Sequence, residues 1–168
     1  IVSEDRILEA HAQHPNARVV ALVQAETSTG VRQPLKAVGA ALAQTGTLFV
    51  VDAVTSLAGI PVEVDAQNID ICYSGTQKCL GVPPGLAPIS FSEKAMERIR
   101  TRKSPSQSWY LDVSLIAGYL GAERRYHHTA PITMNYALRE ALRLVYEEGL
   151  EARYARHREN AEFFWAGL

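Results

Sequence analysis

Short apolar runs alternate with helical patterns along this chain, and this alternation constrains the fold more than any other feature. The runs are continuous in Val, Ile, Leu and Phe, as in strands that are buried on both faces of a parallel sheet. We predict such strands at residues 18–25, 47–51 (ending on Asp52), 70–73 and 86–91. Strands that alternate with helices predict an α/β architecture, in layers, with a largely parallel sheet.

Helix start and stop signals occupy the intervals between the strands. Ser3, Ser92 and Asp112 are typical N-cap residues, Pro34 suits a first helical turn, and Gly149 interrupts a long helical pattern. These signals predict helices over residues 3–13, 34–44, 93–100, 112–120, 133–148 and 150–168.

Composition excludes several classes of partner. The net charge of the 168 residues is −1, which argues against nucleic acid and against an anionic membrane surface. No run is apolar enough to cross a bilayer, and the two cysteines form neither a disulfide framework nor a metal cluster. We therefore expect an intracellular protein, cytoplasmic in a bacterium, with the peroxisome and the mitochondrion left open in a eukaryote.

The two ends of the sequence are abrupt. Ile1 opens directly into a helical pattern, and Trp165 lies three residues from the last residue. Natural termini are usually frayed and polar. We interpret the sequence as an internal part of a longer protein, which we call the full-length protein.

Polar groups follow three of the predicted strands. They are residues 27–30, Asp52 and residues 74–78, and open α/β sheets bind ligands at the carboxyl ends of their strands. Lys78 in a crowded, desolvated site would be a nucleophile for aldehydes, although a lone lysine is more often an exposed turn residue. Asp52 could face a cationic ring nitrogen or could cap a turn. The hydroxyls of residues 27–29 could bind a cofactor or belong to a polar turn.

A further polar group is Tyr126-His127-His128-Thr129. Adjacent histidines in an extended segment are expected to point to opposite sides, and no zinc-ligand spacing surrounds them. We therefore expect structural roles for His127 and His128 and no metal site. The hydroxyls of Tyr126 and Thr129 could donate to a phosphate.

Five sequence phrases occur together in this chain. They are Glu26-Thr27-Ser28-Thr29-Gly30-Val31, Val51-Asp52-Ala53-Val54-Thr55-Ser56-Leu57, Asp70-Ile71-Cys72-Tyr73-Ser74-Gly75-Thr76-Gln77-Lys78, Pro83-Pro84-Gly85 and Tyr126-His127-His128-Thr129. Their spacing is 25 residues from Thr27 to Asp52 and 26 from Asp52 to Lys78. In sequence, order and spacing, these phrases resemble the class V, fold-type I aminotransferases of the alanine–glyoxylate and serine–pyruvate group, over essentially the whole chain.

The resemblance implies pyridoxal 5′-phosphate (PLP) as cofactor, and it implies a role for each matching residue. Lys78 would form the Schiff base and move the substrate proton, and Asp52 would pair with the ring nitrogen. Val54 would pack on the ring, Thr27 would bind the phenolic oxygen and Gln77 the phosphate. In a homodimer, Tyr126 and Thr129 would reach the phosphate of the neighbouring subunit.

The resemblance also implies the reaction and the domain organisation. The reaction would be transamination between a small amino acid, of alanine or serine type, and a 2-oxo acid such as glyoxylate or pyruvate. Residues 1–148 would be part of the PLP-binding large domain, which has a three-layer α/β/α architecture with a mostly parallel sheet. Residues 149–168 would be the first helix of a small α+β domain and mark its start. The loop that cradles the phosphate and the arginine that binds the substrate carboxylate have no counterpart in this sequence.

Two other functions stay open on the sequence alone. A class V lyase or cysteine desulfurase would use a catalytic cysteine and normally a histidine before the lysine, where this chain has Gln77. Taken by itself, the chain could also be an inactive dimerisation or folding module.

Overall fold

The computed structural model describes residues 1–122 and 124–168. Its strands are β1 Val19–Val23, β2 Ala25–Glu26, β3 Val31–Arg32, β4 Leu48–Asp52, β5 Ile71–Tyr73 and β6 Ile89–Phe91. Its helices are α1 Glu4–Gln13, α2 Lys36–Leu42, α3 Glu93–Arg100, α4 Val113–Leu120, α5 Ile132–Glu148 and α6 Leu150–Ala166.

The main sheet has the strand order β1-β4-β5-β6. Strand β4 runs parallel to both β1 and β5, whereas β6 is antiparallel to β5. Residues 74–88 join β5 to β6 and contain no helix. Parallel strands normally need a helical crossover between them, so without one the chain turns back and β6 runs antiparallel to β5. The predicted α/β fold with a mostly parallel sheet is confirmed.

The first predicted strand is divided in two. Strand β1 ends at Val23, and β2 pairs with β3 as a short antiparallel hairpin outside the main sheet. The polar turn expected at residues 27–30 joins the two strands of this hairpin. Gly30 adopts φ +67°, a conformation that side chains with a Cβ rarely adopt, and its N–H donates to the Glu26 carbonyl oxygen at 2.8 Å.

Local capping signals place most helix ends within two residues of the predicted positions. The side chains of Ser3, Ser92 and Asp112 each accept a backbone N–H at the start of α1, α3 and α4. Gly149 separates α5 from α6 with φ +79°. None of the helices in the described residues combines the length and the apolarity needed to cross a bilayer.

The core lies between the central strand β4 and helix α2. Phe49 and Val51 of β4 are fully buried, as is Val38 of α2. Gly39 lets helix α2 approach the backbone of Gln67 closely, since a methyl group at Gly39 would lie 1.8 Å from the Gln67 carbonyl oxygen. This packing fixes β4, and therefore fixes the position of Asp52 at its end.

A buried aspartate holds strand β4 to helix α3. The Asp70 carboxylate accepts the Phe49 N–H at 2.9 Å and the Ser92 hydroxyl at 2.7 Å, and it pairs with Lys94 Nζ at 2.7 Å. Burial alone would raise the pKa of Asp70. The hydrogen bonds from Lys94, Ser92 and the Phe49 N–H outweigh burial and lower it.

We expect Asp70→Asn to lower the free energy of unfolding of the full-length protein by about 2–3 kcal/mol at pH 7, because hydrogen bonds to a charged group are lost. The folded-state pKa of Asp70 is depressed, so this stabilisation is complete above the ordinary aspartate pKa, about 3.9, and disappears as the pH falls through the folded-state value. Urea unfolding of both proteins at several pH values measures the difference. The exposed Asp65→Asn is the control, and a difference that stays constant down to pH 2 would contradict the assignment.

Candidate functional site

The carboxyl ends of β1, β4 and β5 meet at one edge of the sheet. Val23, Asp52 and Tyr73 are neighbours in register across these strands. The Gln24 N–H donates to the Asp52 carbonyl oxygen at 3.0 Å, and the Ala53 N–H donates to the Tyr73 carbonyl oxygen at 2.8 Å. The polar segments that follow all three strands therefore leave the sheet at the same edge, as the sequence predicts.

Asp52 is half-buried, and each of its carboxylate oxygens accepts one hydrogen bond. Oδ1 accepts the Val54 N–H at 2.8 Å, which is the turn-capping bond considered above. Oδ2 accepts the Tyr73 hydroxyl at 2.8 Å. A carboxylate oxygen has two lone pairs, so these bonds orient the group and leave it able to accept from a cation.

Tyr73 belongs to the candidate site, although the sequence did not single it out. Its bond to Asp52 raises the pKa of the phenol, so the hydroxyl keeps its proton and remains a donor. The signal was present in the predicted strands. Tyr73 ends one strand and Asp52 ends its neighbour, and parallel pairing in register places them side by side.

The turn that carries Lys78 is anchored by two buried hydroxyls. Ser74 Oγ donates to the Ala53 carbonyl oxygen at 3.1 Å, and Thr76 Oγ1 donates to the Pro83 carbonyl oxygen at 2.9 Å. With these side chains turned inward, Gln77 and Lys78 are exposed. Of the two environments considered for Lys78, residues 1–122 and 124–168 form the exposed turn and not the desolvated site.

A cavity of about 750 Å³ opens beside this turn. Tyr73, Gly75 and Gln77 line one part of it, and Tyr110 and His128 line another. A methyl group on Gly75 would lie 2.7 Å from Gln77 Oε1, so the glycine gives the amide the space it occupies. The volume falls in the range of small-molecule sites.

Val54 and Thr27 are the other two residues that the sequence predicts at this edge. Val54 is half-buried in the turn that follows Asp52, and Thr27 is exposed in the turn of the β2–β3 hairpin. Glu26 stiffens that turn by accepting the Ser28 N–H at 2.9 Å and the Ser28 hydroxyl at 2.8 Å. The Thr55 hydroxyl donates to the Ala25 carbonyl oxygen and ties the hairpin to the Asp52 loop.

Tyr126 and Thr129 form a pair of hydroxyls on the surface. Tyr126 Oη lies 2.9 Å from Thr129 Oγ1, and the tyrosine side chain is 69% exposed. Its ring packs edge-on against Tyr119, with centroids 6.0 Å apart. The two hydroxyls are thus held together and face solvent.

The two histidines meet, which contradicts the expectation that they point to opposite sides. Their Nδ1 atoms are 2.7 Å apart, because the chain bends at His128 and the alternation of a regular strand does not apply. His127 is buried, its ring packs at a tilt against that of Trp109, and its Nε2 lies 2.9 Å from the Trp109 carbonyl oxygen, which agrees with a structural role. Within the described part of the chain, no cluster of three or more His, Cys, Asp or Glu residues could hold a metal ion.

Comparison with known proteins identifies similar chains. The model of the family "Aminotransferase class-V" matches residues 4–168. Alanine–glyoxylate aminotransferase of Oryctolagus cuniculus is 45% identical over 95% of this chain and 41% of its own length. (S)-ureidoglycine–glyoxylate transaminase of Bacillus subtilis is 43% identical over 98% of this chain and 44% of its own length.

Similarity of structure agrees with similarity of sequence. The crystal structure of alanine–glyoxylate aminotransferase from Nostoc sp. superposes with a TM-score of 0.95 at 47% identity, over 98% of this chain and 44% of that one. This chain therefore spans about two fifths of the length of the proteins it matches.

Proposed function

Since the chain belongs to the class V aminotransferase family, we propose that its full-length protein transfers an amino group from a small amino acid to glyoxylate or a similar 2-oxo acid, with PLP as cofactor. The observation that carries the proposal is the strand register. It places Asp52 beside Tyr73, the last residue of β5, and the turn that carries Lys78 begins directly after Tyr73. A carboxylate and an amine at one edge of a parallel sheet are the two groups that this cofactor needs from a large domain.

The described residues fit the chemistry of PLP. The cofactor has a cationic ring nitrogen, an aldehyde and a phosphate, and Asp52, Lys78 and Gln77 offer a matching carboxylate, amine and amide. Gly75 leaves space for the Gln77 amide at the edge of the cavity. When bound, PLP supplies an electron sink for breaking the Cα–H bond of an amino acid.

Each residue of the site then has a defined task. Lys78 Nζ would bind the aldehyde carbon, with the aldehyde oxygen leaving as water. Once the amino group of the substrate has displaced it from that carbon, the free Lys78 amine would carry the proton between the substrate Cα and the same carbon. Asp52 would hold a proton on the ring nitrogen, with its carboxylate oriented by the Val54 N–H and the Tyr73 hydroxyl. Val54 would cover one ring face, and Thr27 would donate to the phenolic oxygen.

The names of the relatives indicate which amino donors and acceptors to propose. The rabbit and Nostoc proteins are alanine–glyoxylate aminotransferases, and the Bacillus protein uses (S)-ureidoglycine and glyoxylate. Glyoxylate is common to these names, so it is the acceptor we propose, with pyruvate as an alternative. The donor is proposed as an amino acid of alanine or serine type.

We also propose that residues 149–168 begin the small domain.

A lyase or desulfurase is the weaker alternative. Such an enzyme needs a reactive thiolate, and burial raises the pKa of both Cys72 and Cys79. The Cys79 thiol also donates to the Thr55 carbonyl oxygen at 3.5 Å. Gln77 in place of a histidine before the lysine argues in the same direction.

The test is an assay of the purified full-length protein with glyoxylate and, in turn, alanine, serine and (S)-ureidoglycine. We expect glycine to form at least with alanine or serine, and only when both donor and acceptor are present. Cofactor-loaded protein that produces no glycine with any donor, but releases sulfide from cysteine, would replace the proposal with the desulfurase alternative. The 168-residue chain alone is expected to be inactive.

We propose that the full-length protein is a homodimer in which Tyr126 and Thr129 donate to the partner's cofactor phosphate, as charge-assisted hydrogen bonds. Their hydroxyls are adjacent and face solvent, as such a contact needs. Subunits carrying Lys78→Ala should be mixed with subunits carrying Tyr126→Phe and Thr129→Ala. Each exchanged dimer then contains one intact site, so activity should return to about half of wild type. If mass spectrometry shows exchange and no activity returns, the assignment is wrong.

A further inference from the structure

Helix α6 reaches the lysine turn through one side chain, that of Arg153. Its Nε donates to the Ala58 carbonyl oxygen at 3.0 Å, and Nη2 donates to the Cys79 carbonyl oxygen. Its Nη1 bonds the Glu148 carboxylate at 2.7 Å. Only 12% of the Arg153 side chain is exposed, so these bonds are largely shielded from water.

These contacts join three distant segments of the chain. Ala58 lies in the loop that follows Asp52 and has φ +68°, and Cys79 directly follows Lys78. Glu148 is the last residue of α5. One guanidinium therefore touches the loops behind both Asp52 and Lys78, and it links them to the junction between α5 and α6.

The backbone beside Lys78 is held on its other sides as well. The Cys79 thiol donates to the Thr55 carbonyl oxygen at 3.5 Å, and a methyl group on Gly59 would lie 2.6 Å from that sulfur. The Gly81 N–H donates to the Lys78 carbonyl oxygen at 2.9 Å. The bond from Arg153 to the Cys79 carbonyl oxygen is a further contact of this backbone. Of the contacts described here, it is the one made by a residue outside residues 55–81.

We propose that Arg153 is a positioning residue for Lys78, so that the placement of the reacting amine depends on the placement of helix α6. This inference rests on the proposed function. A displacement of about 1 Å in a reacting group can cost about a hundredfold in rate. The planar guanidinium of Arg153 donates from three separate nitrogen atoms to two carbonyls and a carboxylate, whereas a lysine ammonium presents all its donors on one atom.

The chain contains a matched control in Arg156. It lies on the same helix and bonds both oxygens of Glu148, at 2.6 and 2.9 Å. Its side chain is 49% exposed, and none of the bonds described for it reaches the Lys78 turn. Arg153→Lys and Arg156→Lys both keep the charge and both weaken the contact with Glu148, so a difference between them reports the bonds to Ala58 and Cys79.

The experiment uses the full-length enzyme loaded with PLP. Three quantities are measured: kcat and KM for the amino donor, the rate of cofactor release to an apoenzyme trap, and the pH dependence of the bound-cofactor absorbance. We expect Arg153→Lys to lower kcat about tenfold with KM changed less than about threefold, to speed release, and to shift the absorbance profile. Arg156→Lys should stay within about twofold of wild type in kcat and release rate, since a surface pair contributes little.

A purely structural role for Arg153 gives a different result. Arg153→Lys would then lower the midpoint of thermal unfolding while cofactor release and the absorbance profile match those of Arg156→Lys, and this would overturn the inference. If Arg153→Lys does not fold, Arg153→Gln is compared with Arg156→Gln instead, and equal release rates and absorbance profiles in these two variants would also overturn the inference. Wild-type protein that neither binds PLP nor transfers amino groups would instead refute the proposed function.

Discussion

Lys78→Ala in the full-length protein is expected to reduce amino-group transfer to background. The methyl group of alanine can neither bind the cofactor aldehyde nor carry the proton from the substrate Cα, so both tasks are lost together. Lys78 follows a turn fixed by the buried hydroxyls of Ser74 and Thr76, and its exposed side chain makes none of the described hydrogen bonds. We therefore expect the variant to fold like wild type.

Turnover and covalent attachment are measured on the same samples. Borohydride reduction should fix the cofactor to wild-type protein at the peptide that contains Lys78, and mass spectrometry should find no such adduct in the variant. Lys103→Ala removes another exposed lysine and should behave like wild type. Wild-type turnover in Lys78→Ala, or an adduct on another lysine, would end the assignment.

The sequence determines much of this fold because its strongest signals are local. Helix α3 begins and ends at the predicted residues, since Ser92 caps its first turn and the charged pattern ends with Arg100. Strand β4 ends on Asp52 as predicted, because the apolar run stops there. Parallel pairing of predicted strands then brings Asp52 and the Lys78 turn to one edge, and this conclusion needs no side-chain detail.

The features that escaped prediction depend on contacts between distant residues. The β2–β3 hairpin is only two residues long on each strand, too short for a period-two pattern to show. Arg153 bonds the Cys79 carbonyl oxygen across 74 positions of sequence, and its spacing on α6 gives no sign of that partner. The exposure of Lys78 depends on which other segments cover the turn, and a residue's own sequence context does not specify them.

Asp52→Asn tests the chemistry of the site separately from its structure. The amide oxygen of asparagine can still accept the Val54 N–H that Asp52 Oδ1 accepts at 2.8 Å, so the turn after β4 should keep its conformation. The Tyr73 hydroxyl, which donates to Asp52 Oδ2, would then face the amide NH2 group, and it can accept a hydrogen bond from that group. What the substitution removes is the negative charge that would hold a proton on the ring nitrogen of PLP.

Loss of one partner from a desolvated ion pair costs about 3–5 kcal/mol. At about 1.4 kcal/mol for each factor of ten, we expect the step that removes the Cα proton to slow by about two to four orders of magnitude. Single-turnover kinetics with protiated and Cα-deuterated donor should show this fall together with a larger isotope effect, because proton removal becomes rate-limiting. Asp65→Asn, an exposed carboxylate, should leave both unchanged. A fall of less than about tenfold in Asp52→Asn, with cofactor still bound, would mean that Asp52 acts only through its bonds to Val54 and Tyr73.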